Sequence, residues 1–362
     1  MDVPPNLATA VIIDVLILLV ALVVILFGAE LFTNGIEWLG RRLGLGEGAV
    51  GSVLAAVGTA LPETLIPIIA IVFQTAEGSH EVGVGAILGA PFMLSTLAMF
   101  VTGVGVLAFR SRRATGTTLA VDTGVLVHDL RTFFVGYGLA VGAAFLPADL
   151  AVGRWAVAAI LIGLYVWYVK GHLAGDAPDH AEDLAPLRMH RLDPVARVID
   201  PGEPRLRVIA LQVLASVGLI IVGAVFFIDA VNDVAHRLGV SEVLLALVIA
   251  PIATELPEKF NSIIWVRQNK DTLALGNITG AMVFQSAIPT VVGLVFAANT
   301  WVVGEGSYTA FASAAIALIA TAVIFIPGWR RGRLDARHLL VGGVFYLGYV
   351  LFVIALVSGA FR

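Results

Sequence analysis

The chain contains two copies of one segment, separated by 195 positions. Residues 28–63 align with residues 223–258 without a gap, and 13 of the 36 positions are identical. Each copy ends in an apolar stretch that carries the pattern Thr-x-Leu-Pro-Glu, at residues 59–63 and 254–258. A duplicated half-protein is the simplest explanation. The chain must therefore adopt a fold that two copies of one unit can build together.

The composition places these copies in a membrane. Apolar residues make up 59% of the chain, charged residues only 13%, and the mean hydropathy is +0.96, whereas soluble domains are far more polar. Apolar runs of bilayer-spanning length, about 17 to 25 residues, begin near ten positions: Val11, Gly48, Val82, Val121, Ala151, Val208, Val240, Thr272, Tyr308 and His338. The sequence therefore predicts an all-α polytopic membrane protein with about ten transmembrane helices.

The ten spans divide into two halves of five joined by the longest hydrophilic stretch. The predicted boundaries are a first repeat at residues 1–170, a linker at 171–207 and a second repeat at 208–362. Because five is odd, the second repeat enters the membrane from the opposite side, which gives two inverted repeats.

The basic residues support this topology, since Lys and Arg concentrate in cytoplasmic loops. If the N-terminus is outside, 17 of the 22 basic residues fall in inner loops. They are Arg41, Arg42, Arg110, Arg112, Arg113, Lys170, Arg188, Arg191, Arg197, Arg205, Arg207, Arg267, Lys270, Arg330, Arg331, Arg333 and Arg337. We therefore expect a cytoplasmic linker, both termini outside, and residence in the cell membrane.

The Pro-Glu pairs predict two broken helices and an ion site. Proline removes a helical hydrogen bond and frees a carbonyl one turn earlier, so Pro62 and Pro257 should interrupt helices 2 and 7. A carboxylate at membrane depth is costly and usually functional. Glu63 and Glu258, with Thr59 and Thr254 at the breaks, offer hard oxygen ligands of the kind that suit Ca²⁺. Kinked helices with protonated acids that only pack the bundle are the structural alternative.

The paired motifs resemble the two alpha-repeats of the calcium/cation antiporter superfamily, whose sodium/calcium exchangers carry G-T-S-x-P-E. Residues 85–90 and 276–281 are similar to the second conserved helix of that family, and residues 250–276 also resemble the calcium/proton exchanger branch. The resemblance implies that Asn277 and Gln285 join the site, and that residues 11–40 and 208–237 form long helices that slide as a gate. It implies an antiporter that exchanges Ca²⁺, or a similar divalent cation, for Na⁺ or H⁺.

Several positions depart from the family pattern. Ala60 and Glu255 stand where sodium/calcium exchangers have serine, and Leu94 and Gln285 stand where Asn or Asp is usual. These changes favour proton coupling or an altered sodium stoichiometry. Glu255 either faces the site as a proton carrier or pairs with Lys259 or Arg267 without a transport role, and Lys259 is expected to point away from the site rather than to act as a tethered cation.

Two other function classes fit part of the pattern. An intramembrane hydrolase could use paired carboxylates, and a passive cation channel would also need acids, although it would not need two complete inverted repeats.

The expected partners are the lipid bilayer, Ca²⁺ and monovalent cations, with no cofactor. A net charge of −4 with basic residues confined to loops does not indicate nucleic-acid binding, and no oligomeric state follows from the sequence.

The predicted topology can be tested by cysteine labelling, because the chain has no cysteine of its own. A cysteine at Asp183 in the linker should be protected from an impermeant maleimide in intact cells, whereas one at Glu81, in a predicted outer loop, should react. Labelling at Asp183 without permeabilisation would reverse the assigned sides.

Overall fold

The computed structural model describes residues 5–72, 79–147, 151–174, 184–192, 204–237, 255–304 and 307–357. The helices are α1 (Pro5–Leu43), α2 (Ala49–Thr59), α3 (Leu61–Val72), α4 (Ser79–Met93), α5 (Met99–Phe109), α6 (Thr123–Gly142), α7 (Ala151–Leu173), α8 (Leu206–Arg237), α9 (Leu256–Arg267), α10 (Asp271–Phe296), α11 (Tyr308–Arg330) and α12 (Ala336–Val357). Two short strands, β1 (Thr118–Leu119) and β2 (Leu334–Asp335), pair antiparallel. Within the described residues, seven helical stretches are long and apolar enough to span a bilayer, and one of them, Gly83–Arg112, is a continuous stretch that contains α5 and most of α4.

The predicted starts agree with these helices at nine of the ten positions. The start near Val240 lies outside the described residues. Three predicted spans are not among the seven long apolar helices: the second is broken into α2 and α3, α6 carries His128, Asp129 and Arg131, and only the second part of the seventh, α9, is described.

The described chain forms two compact units that do not coincide with the two sequence halves. One unit comprises Met1–Gly44 and Asp179–Asn261, and the other comprises Leu45–Pro178 and Ser262–Arg362. Each unit therefore takes residues from both repeats. Helix α9 crosses the division after Asn261.

In the first unit, α1 and α8 pack against each other through glycines that the repeat relates. A Cβ atom at Gly28 would lie 3.0 Å from Ile220, and one at Gly223 would lie 2.8 Å from Ile25. The repeat relation of 195 positions matches Gly28 with Gly223 and Ile25 with Ile220. Exchanging the two repeats therefore converts one contact into the other. Reciprocal contacts of this kind are the mark of a twofold arrangement.

The two helices run antiparallel. Arg237, at the end of α8, forms an ion pair with Asp14, near the start of α1, with 2.6 Å between Nε and Oδ2. At the opposite end, the Gln212 amide of α8 donates to the Leu31 carbonyl of α1 at 2.9 Å. Opposite chain directions for repeat-related helices agree with inverted repeats.

A short piece of the linker binds this helix pair. The carbonyl of Ala185 accepts hydrogen bonds from Asn34 Nδ2 and Trp38 Nε1, at 3.2 and 2.9 Å. The Met189 backbone N–H donates to Gln212 Oε1 at 2.8 Å. Asn34 therefore binds the linker, and its Oδ1 atom also accepts a hydrogen bond from Gln212 Nε2 of α8 at 3.0 Å.

In the second unit, α10 is the central helix and is buried over most of its length. It packs against α2 through small residues. The pattern Gly276-x-x-x-Gly280 on α10 meets Ser52, and a Cβ atom at Gly280 would overlap the Ser52 carbonyl oxygen. Small residues four apart allow such close helix contact in membranes.

Three loops that are predicted to be cytoplasmic contact one another at one end of this unit. The loop after α5 contributes β1 and the loop after α11 contributes β2. Arg113, from the first of these loops, forms a buried two-pronged ion pair with Asp271, at 2.7 Å for each nitrogen–oxygen pair. Asp271 follows the loop after α9, so the pair joins the third loop to the other two.

We expect Arg113→Ala to lower the free energy of unfolding by about 3–5 kcal/mol, because it leaves the Asp271 carboxylate buried without its cation. Arg112→Ala provides the control: Arg112 is exposed in the same loop, and such a change should alter stability by no more than about 0.5 kcal/mol. Denaturation of both purified variants in detergent measures the difference, and equal losses would contradict the role assigned to the pair.

Candidate ion-binding site

The first Pro-Glu segment forms a helix break, as the sequence predicted. Helix α2 ends at Thr59, Ala60 leaves the helical range with φ −79° and ψ 0°, and α3 begins at Leu61. Pro62 therefore occupies the first turn of α3, where a helix does not need the missing N–H. Glu63 lies in the same turn, where the helix dipole favours a negative charge.

The buried Glu63 carboxylate is held by Gln285 from α10. Gln285 Nε2 donates to Glu63 Oε1 at 2.9 Å and lies 3.1 Å from the Thr64 hydroxyl oxygen. Both Glu63 and Gln285 are buried. This amide donor fixes the orientation of the Glu63 carboxylate.

A second contact with α10 joins Thr59, the last residue of α2, to Asn277. Thr59 Oγ1 lies 3.2 Å from Asn277 Oδ1 and 3.1 Å from the Ala55 carbonyl oxygen, and both side chains are fully buried. The structure thus pairs Thr59 with Asn277 and Glu63 with Gln285, and the two contacts lie eight positions, about 12 Å, apart along α10. The hydroxyl, carboxylate and amide oxygens of these residues are hard ligands of the kind that suit Ca²⁺.

The second Pro-Glu segment has the same local form where it is described. Glu255 lies in a turn, α9 begins at Leu256, and Glu258 is in its first turn and fully buried. Thr254 lies outside the described residues. Glu63 and Glu258 are each the third residue of a helix that begins at the Leu of the Thr-x-Leu-Pro-Glu pattern.

Glu255 forms a buried ion pair with Lys259, one of the two arrangements that the sequence left open. Lys259 Nζ lies 2.9 Å from Glu255 Oε2 and 3.4 Å from the Glu255 carbonyl oxygen. The side chains are only 5% and 2% exposed. The ammonium turns back toward the start of the helix and neutralises this carboxylate. The expectation that Lys259 points away from the ion site stays a prediction.

Sequence reasoning missed a buried polar cluster around Asp129 of α6. Its carboxylate accepts hydrogen bonds from Ser52 of α2 at 2.8 Å, from Tyr168 of α7 at 2.9 Å and from Thr279 of α10. His172 Nε2 lies 2.8 Å from Asp129 Oδ1. An aspartate inside an apolar run was the available signal.

The Asp129 cluster fixes the helices that carry the candidate ligands. Ser52 precedes Thr59 on α2, and Thr279 lies two positions after Asn277 on α10. Because one carboxylate binds both hydroxyls, it holds α2 and α10 in the register that places Thr59 beside Asn277.

The chain belongs to the sodium/calcium exchanger protein family, whose model matches residues 13–171 and 208–357. It is 24% identical over 370 residues to the sodium/calcium exchanger MaX1 of Methanosarcina acetivorans, covering 95% of this chain and 98% of that protein. It is 23% identical over 330 residues to the inner membrane protein YrbG of Escherichia coli, covering 90% and 93%.

A solved structure of the sodium-calcium exchanger NCX_Mj, soaked with 10 mM Na⁺ and zero Ca²⁺, superposes with a TM-score of 0.68 at 17% identity and covers 96% of this chain and 99% of that chain. The fold is thus the all-α, inverted-repeat fold that the sequence predicted. The protein is a multi-pass integral membrane protein and an antiporter of the sodium/calcium exchanger type, not an enzyme.

The contact of α2 with α10 predicts that Gly280 tolerates no side chain. Gly280→Ala should lower the thermal stability and reduce ion exchange, because the new methyl group would meet the Ser52 backbone. Gly163→Ala is the matched control: among the described residues no atom lies within 4 Å of the place that its Cβ would take, and alanine favours a helix by about 1 kcal/mol over glycine. Thermal unfolding in detergent and uptake in liposomes measure both effects, and equal stability of the two variants would exclude the proposed close contact.

Proposed function

We propose that this antiporter exchanges Ca²⁺, or a similar divalent cation, for Na⁺ or H⁺ by alternating access at a site that contains Glu63 and Glu258. The observation that carries the proposal is the environment of Glu63: a buried carboxylate in the first turn of a broken helix, oriented by the neutral Gln285 amide. A carboxylate at membrane depth is costly and usually functional, and its oxygens are ligands of the kind that suit Ca²⁺.

The repeat supplies the second carboxylate. Glu258 has the same position in its helix as Glu63 and is fully buried. In a transporter built from inverted repeats, equivalent broken helices meet at a midplane site. Two glutamates balance the charge of one divalent cation, and Thr59, Thr254, Asn277, Gln285 and Glu255 complete the proposed set of oxygen ligands.

The transported ions are the only small molecules that this mechanism requires, so we propose that the chain uses no cofactor.

The family assignment argues against the hydrolase and the channel that the carboxylates alone would allow. The sodium/calcium exchanger MaX1 is similar over nearly its whole length, which supports Ca²⁺ and Na⁺ as the ions. Proton coupling stays in the proposal because Ala60 and Glu255 replace the serines of the exchanger pattern. The basic loops support a cell-membrane location with both termini outside.

We expect Glu63→Gln and Glu258→Gln each to reduce Ca²⁺ uptake at least about a hundredfold while the protein still folds, since affinity at such sites follows the charge of the ligands. Glu81→Gln, which removes a charge from an exposed residue, should keep normal uptake. The measurement is ⁴⁵Ca²⁺ uptake into liposomes under an imposed Na⁺ gradient and, separately, an imposed H⁺ gradient. Wild-type uptake by either site variant would refute the two-glutamate site.

A further inference from the structure

We propose that α1, α8 and the described piece of the linker form a binding site for a phospholipid whose headgroup carries a primary ammonium and a phosphate, as in phosphatidylethanolamine. The site is a cavity of about 370 Å³ between the two helices and the linker. Phe27, Leu31 and Leu219 contribute to its apolar wall, and Glu30 and Arg188 are its charged members. An apolar wall with one acid and one base matches an acyl chain joined to a zwitterionic headgroup.

The charged pair lies where the lipid-facing surface of α1 ends. The exposed large apolar side chains of this helix run from Ile12 to Phe27, and the next one is Leu43, its last residue. Ile12 and Glu30 are 18 positions apart, which is about 27 Å along a helix. This length is close to the thickness of the hydrocarbon core, about 30 Å. Glu30 therefore lies at the level of the lipid headgroups.

Both members of the pair remain accessible. Arg188 Nη2 lies 2.8 Å from Glu30 Oε1, yet the two side chains are 52% and 54% exposed. An exposed ion pair contributes little to the stability of a protein. A guanidinium has several N–H donors, and a carboxylate has several acceptor positions. A phosphate bound to the guanidinium and an ammonium bound to the carboxylate would extend the pair into an alternating arrangement of charges.

The linker holds Arg188 in place before any lipid binds. The Arg188 backbone N–H donates to Asn34 Oδ1 of α1 at 3.0 Å. The preceding side chain, Leu187, is buried in one apolar cluster with Trp38 of α1 and Ile209 of α8. A group that is already fixed loses less entropy on binding. The position of the guanidinium is therefore prepared for a phosphate.

The repeat indicates that helix packing does not require the acid. The shift of 195 residues relates Glu30 to Val225 of α8, which is 52% exposed. The equivalent position of the second repeat thus presents an apolar side chain. Because α1 and α8 make reciprocal contacts at Gly28 and Gly223, a carboxylate in one copy only points to a task outside that contact.

The test compares three phospholipids with identical acyl chains, bound to the purified full-length protein in detergent and measured by native mass spectrometry. Phosphatidylethanolamine should bind about tenfold more tightly than phosphatidylcholine, because a quaternary ammonium has no N–H to donate to Glu30 and a hydrogen bond to a charged group contributes about this factor. Phosphatidylglycerol, which has the phosphate without an ammonium, should also bind about tenfold more weakly than phosphatidylethanolamine.

Two variants locate the site. Glu30→Gln should reduce the preference for phosphatidylethanolamine over phosphatidylcholine to about twofold or less. Arg188→Gln should weaken the binding of all three lipids severalfold, since each carries the phosphate. Both changes remove only an exposed ion pair, so the protein should stay folded. Glu81→Gln and Arg331→Gln, at exposed positions elsewhere, should bind the lipids as the wild type does.

Three results would overturn the inference. Equal binding of phosphatidylethanolamine and phosphatidylcholine by the wild type would exclude recognition of the ammonium. Tighter binding of phosphatidylglycerol would indicate a site for anionic lipids instead. An unchanged preference in Glu30→Gln would place the lipid elsewhere on the surface. Because the readout is lipid binding, none of these results bears on the proposed ion exchange.

Discussion

A buried carboxylate inside a membrane requires a partner, and the arrangement of this protein depends on that requirement. Several of these partners come from other helices, so the contacts join separate parts of the chain. Asp129 binds hydroxyls from α2, α7 and α10, and Asp14 pairs with Arg237 across α1 and α8. Because an unpartnered charge in an apolar medium is very costly, these contacts fix helix positions that apolar packing alone would leave free to slide.

The described partners of the buried acids differ in charge. Asp271 faces the guanidinium of Arg113, and Glu255 faces the ammonium of Lys259. Glu63 accepts a hydrogen bond from the neutral amide of Gln285, which orients the carboxylate. The protein therefore positions its buried carboxylates with both charged and neutral donors.

The sequence predicted the features that depend on local chemistry. The apolar runs predicted where the helices start, because a bilayer requires a minimum span length. Pro62 predicted the break at Ala60, because proline removes a hydrogen bond from the helix backbone. It left open whether Glu255 pairs with Lys259, and it did not predict that Arg113 reaches Asp271, 158 residues away in the chain. These contacts depend on which loops and faces meet in three dimensions. The partners of Asp129 were missed for the same reason, since four side chains from three other helices converge on it.

The first seven residues of α2, Ala49–Ala55, are π-helical. A π turn contains one residue more than an α turn, and one residue corresponds to about 100° around a helix axis. In an uninterrupted α-helix, Thr59 would therefore point about 100° away from its present direction while Ser52 kept its place against α10. The direction of a candidate ion ligand is thus set by the winding of the turn before it, and a small change in winding would turn the hydroxyl away from Asn277 without unfolding the helix.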